Sequence, residues 1–228
     1  MKKLYIVLSF LFSIVLQQSF AQCTGCTNTV TAPSSSAINA TSGTVFCITG
    51  TGDYTGAVTS ASGSVICVAS GVNFKPTSMA TNAGTIIINV GATATLPAFT
   101  AGVGLKFEVY GACTFNGTVT PAANSIVSYN VHTGATAVFA QNFGLSSGGT
   151  YGSSITNEGA VTFNGSLTTG TSTNVYNYGT ITVTTTFTNQ ASFKNYGKLI
   201  VGGDITLTNS GGDSFHNYCT VSTTGNFT

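Results

Sequence analysis

The sequence predicts an all-β chain wound as a parallel β-helix, a β-solenoid with rungs of roughly 20 residues and the right-handed sense usual for parallel crossovers. Three observations carry this. A phrase, Asn157-Glu158-Gly159-Ala160-Val161-Thr162-Phe163, returns as Asn177-Tyr178-Gly179-Thr180-Ile181-Thr182-Val183. It returns again as Asn195-Tyr196-Gly197-Lys198-Leu199-Ile200-Val201 and as Asn217-Tyr218-Cys219-Thr220-Val221, its leading Asn displaced by 20, 18 and 22 positions. Earlier, Ser42-Gly43-Thr44-Val45-Phe46-Cys47-Ile48 is matched residue by residue at Ser62-Gly63-Ser64-Val65-Ile66-Cys67-Val68. Finally, Gly, Asn and Asp punctuate the chain so often that each unit holds only short strands and no helix. Such strands can pair only with their counterparts in the next unit, in parallel and in register.

Residues 1–21 read as a signal peptide: Lys2 and Lys3 precede the apolar run Leu4 to Leu16, and Ser19-Phe20-Ala21 forms a small-x-small cleavage site. Gln17 and Gln18 end the run short of the about 20 residues a membrane span needs. Cys23 would be the acylated residue of a lipoprotein, but Gln22 does not suit that motif. Residues 22–41 are polar, with Pro33 followed by serines, and are expected to cap the first rung. The solenoid is expected over 42–228. Further units follow at Gly84, Gly104 and, more weakly, Asn124, and the least regular region is Val131 to Tyr151. Thr223 to Thr228 resembles the second strand of a unit, so the polypeptide is expected to continue into further domains.

Alternation assigns the faces. Val45, Cys47, Val65, Cys67, Ile86, Ile88, Val161, Phe163, Ile181, Val183, Leu199 and Val201 are expected inside, and Thr162, Thr182 and Ser222 outside. Asn157, Asn177, Asn195 and Asn217 should stack as a structural ladder at one corner. Phe46, Ile66 and Ile87 fall outside on this phase. They are then either covered by residues 22–41 or form a docking stripe for another chain.

Only 5% of the residues are charged, against about 25% in ordinary domains. Beyond residue 21 there are four lysines, no arginine and five acids, which excludes the basic footprint nucleic acid requires. Cysteines of an exported chain are free to oxidise. Cys47 and Cys67, one repeat apart, could bridge on neighbouring rungs, or pair with Cys23 and Cys26; spacing does not choose. A lone Cys-x-x-Cys at 23–26, without a second pair, does not make a zinc or redox site.

No catalytic, cofactor or metal constellation emerges. The acids are scattered, Lys106 and Glu108 share a strand face as an exposed ion pair, and His132 and His216 lack nucleophile and carboxylate partners at repeat spacing. Gly202-Gly203-Asp204 and Gly211-Gly212-Asp213 are single echoes of a calcium-binding repeat.

Gln22-Cys23-Thr24-Gly25-Cys26, the Ser-Gly-x-Val-x-Cys units at 42 and 62, Val72-Asn73-Phe74-Lys75-Pro76 and the Asn-Tyr-Gly phrases together resemble the N-terminal regions of large surface adhesins of Bacteroidota. The resemblance implies export by the type IX machinery, a place on the outer cell surface and, in some such proteins, gliding motility. It carries no functional residue across. The expected function is therefore a non-catalytic stalk or adhesin whose Thr/Asn/Tyr flank meets a surface polysaccharide or protein ligand. The alternative is a β-helix that binds or degrades polysaccharide. Ice binding through rows such as Thr180 to Thr184 is a third reading, weakened because Lys198 and Ile200 interrupt the file.

Overall fold

The computed structural model describes residues 23–80, 83–121, 125–145, 152–208 and 215–228. Residues 1–21, expected to be a signal peptide, and Asp213 lie outside them. Parallel strands stack as a β-solenoid of about nine turns, with no helix among the described residues. Each rung has up to three strands. Strands at 65–68, 85–88, 105–109, 127–131, 154–157, 174–177, 192–195 and 215–217 stack in one file, and those at 72–74, 93–96, 112–115, 136–139, 160–163, 180–183, 198–201 and 220–223 in a second. The third file is broken into pieces, the longest being 143–145, 167–169, 187–189 and 205–207.

Register fixes what faces inward. Phe46, Ile66, Ile86, Phe107, Tyr129, Ile155, Val175, Phe193 and Phe215 form one continuous row. In mid-molecule the rings of Phe107, Phe115, Tyr129, Phe139, Phe143 and Phe163 stack on or edge into one another at centroid separations of 4.2–5.6 Å, filling the core. Each such buried side chain contributes about 1.5–3 kcal/mol, which explains how so uncharged a chain holds together. Val161, Phe163, Ile181, Val183, Leu199 and Val201 are all buried, as their alternation predicts. The region expected to be least regular contains a complete rung at 127–131, 136–139 and 143–145.

The first two rungs reverse the expected phase. Ile66 is fully buried, Phe46 packs against the core, and Val45 and Val65 are only partly covered. Ile87 does not belong to their row: it registers with Cys67, which registers with Cys47, on the outer side. The stripe Phe46, Ile66, Ile87 is thus not one surface, because a one-residue slip of phase moves a strand's whole apolar set across the sheet. The cysteines were the misleading signal, since they read as small core residues. They face outward to meet the N-terminal segment, as Cys23–Cys67 and Cys26–Cys47 disulfides with Cα separations of 5.6 and 5.7 Å. A Cys47–Cys67 bridge does not form, because the two side chains leave the sheet side by side and each meets a partner arriving from above. Residues 28–40 form a rung of their own, Asn28–Ser34 pairing in parallel with Val45–Tyr54.

Candidate functional site

The first strand of each rung ends at a corner, and the residue just past that end projects to the same edge. Backbone bonds from Tyr110 N to Ile88 O, His132 N to Val109 O, Glu158 N to Val131 O, Tyr178 N to Asn157 O, Tyr196 N to Asn177 O and Tyr218 N to Asn195 O place these six residues in one file. Beneath most of it runs the asparagine ladder. Asn157 Nδ2 donates to Asn177 Oδ1 (2.8 Å), Asn177 to Asn195 (2.6 Å) and Asn195 to Asn217 (2.7 Å). Each of the three donors also reaches a main-chain carbonyl past the next corner, of Thr180, Lys198 and Thr220. The ladder fixes the backbone from which the file projects.

At the far end the file is aromatic. Tyr178, Tyr196 and Tyr218 are 52%, 41% and 60% exposed, yet their rings lie nearly parallel with centroids 5.1 and 4.7 Å apart. Faces are covered by neighbouring faces, so the edges and hydroxyls meet solvent at every rung. Beside them, Lys194 Nζ stands 5.6 Å over the Tyr176 ring and His216 stacks towards Tyr218.

At the near end the file is ionisable. The His132 ring lies flat on Tyr110, with centroids 3.9 Å apart and planes 1° from parallel. Its Nε2 is 2.7 Å from Glu108 Oε2, while Glu108 Oε1 accepts from Lys106 Nζ (2.5 Å) and Asn130 Nδ2 (3.1 Å). The other ring nitrogen, Nδ1, faces Glu158 Oε2 at 4.0 Å. Burial works to raise the Glu108 pKa, but the hydrogen bonds from Lys106, His132 and Asn130 outweigh it and hold the carboxyl below its usual range. Burial, then the Glu108 charge, raise the Tyr110 phenol, which stays a neutral donor. Lys106, Glu108, Tyr110, Asn130, Val131, His132, Thr156 and Glu158 line an open pocket of about 360 Å³.

This cluster corrects the expectation of an exposed Lys106–Glu108 pair and a partnerless His132: the Glu108 side chain is only 13% exposed, and three donors converge on it. A signal for it was present. Val109-Tyr110-Gly111-Ala112 copies the Asn-Tyr-Gly phrase with Val for Asn, which puts Tyr110, and by counting His132 and Glu158, in the tyrosine position.

Other expected features lie apart from this edge. The four cysteines sit at the N-terminal rungs. Asp204 accepts from the Asn226 amide on the next rung. Among the described residues no group of three or more His, Cys, Asp or Glu side chains is arranged to hold a metal ion. On the outer face of the second file, Thr162, Thr182, Ile200 and Ser222 are in register, so the threonine row is broken as the sequence indicates. No family model matches the chain, and neither the curated proteins nor the solved structures include a match.

Proposed function

We propose that this chain is a non-catalytic, surface-displayed solenoid rod that attaches to extended polysaccharide along its tyrosine edge. The observation that carries the reading is the exposed, stacked file Tyr178, Tyr196, Tyr218, continuous with the polar pocket at His132. Tyrosine combines a rigid apolar edge with a hydroxyl that both donates and accepts, at low entropic cost on binding. Repeated on three successive rungs, about 4.8 Å apart, it offers a linear polymer several weak handles in sequence, so attachment arises from multivalency. The disulfides suit an oxidising, extracellular setting, and the near absence of charge suits a ligand recognised by hydroxyls. An outer-surface location, type IX export and a part in adhesion or gliding belong to the same proposal.

A polysaccharide-degrading enzyme is the second reading, favoured by two carboxylates, Glu108 and Glu158, on one pocket. It ranks lower because both Glu108 oxygens already accept hydrogen bonds from side chains. The test is retention of the purified chain on a panel of immobilised polysaccharides, with reducing ends assayed in parallel. Retention lost on replacing Tyr178, Tyr196 and Tyr218 together by Ala is expected. Release of reducing ends refutes the non-catalytic reading, and retention unchanged by the triple variant refutes the tyrosine edge.

A further inference from the structure

The ionisable end of the file poses a question that the tyrosines do not answer. Glu108 receives donors on both oxygens, so the His132 nitrogen 2.7 Å from it must be the protonated one, Nε2–H donating to Oε2. The stack on Tyr110 then fixes the ring plane. In the neutral ring this leaves the Nδ1 lone pair directed at Glu158 Oε2, 4.0 Å away. Two acceptors face each other, and the only donor to that oxygen among the described residues is the Thr133 hydroxyl at 3.5 Å. Lys106, the cation lining the pocket, is committed to Glu108. The gap suits a group with several N–H donors and a positive charge, which can sit about 2.7–2.9 Å from both acceptors at once.

We infer that the pocket between His132 and Glu158 receives the protonated primary amine of an amino sugar within the polysaccharide that the tyrosine edge follows. This rests on the glycan reading above and names the sugar. The pocket of about 360 Å³ leaves room for the sugar ring carrying the amine, and Thr156 and Asn130 line it with groups that hydroxyls can address. Tyr178 stands one rung beyond Glu158, so a chain lying on the tyrosines arrives at the pocket without a turn. An N-acetylated sugar has one N–H and no charge, and cannot bridge the pair. A lysine-rich peptide offers the same ammonium but repeats it along an edge that carries Lys194 and Lys198, whereas a glycan with a single free amine brings its one charge to the pocket.

The experiment is titration of the ¹⁵N-labelled protein at neutral pH with singly de-N-acetylated and fully N-acetylated β-glucosamine oligomers, following the His132 ring nitrogens. Without ligand, Nε2 is expected to carry the proton that Glu108 holds. The amine-bearing oligomer should bind about tenfold or more tightly than the acetylated one and shift Nδ1, and Glu158→Gln should abolish the preference. A ring doubly protonated before any ligand is added overturns the inference, because the proton itself then fills the gap. Equal affinity for both oligomers, still sensitive to Tyr196→Ala, overturns the amine pocket while leaving the glycan reading intact. If neither oligomer binds but monomeric glucosamine shifts Nδ1 only when Glu158 is present, the pocket stands and the glycan track falls. Tighter, Glu158-dependent binding of trilysine overturns the sugar in favour of a basic peptide.

Discussion

Two kinds of corner join the first strand of a rung to the second, and both use glycine for different reasons. At 69–72, 89–92 and 132–135 the chain makes a four-residue turn closed by a bond from the fourth amide to the first carbonyl, 3.3, 3.0 and 2.9 Å long. Its third residue, Gly71, Gly91 or Gly134, has a φ of 83°, 75° or 82°, a backbone region that side chains disfavour. At 110–111, 158–159, 178–179 and 196–197 only two residues turn the corner. Gly179 there has no left-handed φ, but a Cβ on it would collide with the Gly159 carbonyl oxygen of the rung beneath. One corner needs glycine for its conformation, the other for the room it leaves. At 158–159, 178–179 and 196–197 the tight corner also carries the buried asparagine, whose amide satisfies the carbonyl just past the next corner, and it throws the following side chain outward. The tyrosine part of the functional edge is a by-product of that economy of chain.

Substitution separates the two uses. Gly179→Val should cost more than about 3 kcal/mol, because backbone of the neighbouring rung cannot yield. Gly134→Ala should cost only about 1–2 kcal/mol, since a Cβ there meets nothing and only the dihedral is strained. Urea unfolding with matched m-values measures both, and equal losses would break the distinction. The ladder can be probed the same way. Asn177→Val leaves Asn157 without one of its two acceptors, Asn195 Oδ1 without its donor and the Lys198 carbonyl short of one, for about 3 kcal/mol. Val131→Asn places an amide in the same row, with Asn157 on one side but an apolar neighbour, Val109, that leaves its carbonyl oxygen without a donor on the other, and should destabilise by about 1–3 kcal/mol. If instead it stabilises, the ladder extends further than the wide corner at 132–135 is argued to allow.

The tight corners were legible in the sequence because they repeat. Asn-x-Gly followed by an alternating strand gave the ladder, the strand entries and the inward faces from Val161 to Val201. The wide corners hide the same register behind two added residues, which is why the rung at 127–145 looked irregular and His132 looked partnerless. The slip of phase at Phe46 and Ile66 has another cause. Val45-Phe46-Cys47-Ile48 is apolar at every position, so alternation has nothing to choose between. What chose was Cys23 and Cys26, and pairing partners supplied by a distant segment are not written in the local pattern.

The disulfides sharpen the comparison further, since they clasp only rungs that lack the ladder. Replacing Cys26 and Cys47 together by Ser should cost about 2–4 kcal/mol and loosen residues 23–34, seen as lost amide protection there. Protection at Asn177 and Asn195 should not change. Of the two free thiols, exposed Cys219 should react with a thiol reagent in the native protein. Cys113, fully buried and its ionisation pushed up by that burial, should react only on unfolding. Two reactive thiols in the folded protein would mean that the core between Ala94 and Ala137, its register partners, opens readily.

The smallest expected effect falls at the seam between the corner types, where Glu108 binds the residue that opens the wide turn, His132. Its carboxyl titrates below its ordinary value in the folded state, so the stability it contributes is present above the unfolded pKa and is lost as pH falls through the folded one. In Glu108→Gln that acid-dependent increment disappears, leaving a shallower fall in stability below about pH 4.3, the usual Glu value. Asp53, also lowered, first by Asn73 and then by Lys75, is solvent-exposed and screened, so Asp53→Asn should leave the profile nearly unchanged. Thermal melts of the three proteins across the acid range distinguish the two carboxylates. If Asp53→Asn flattens the profile as much as Glu108→Gln does, the Glu108 cluster has no special hold on the seam, and the tyrosine edge is positioned by the asparagine ladder alone.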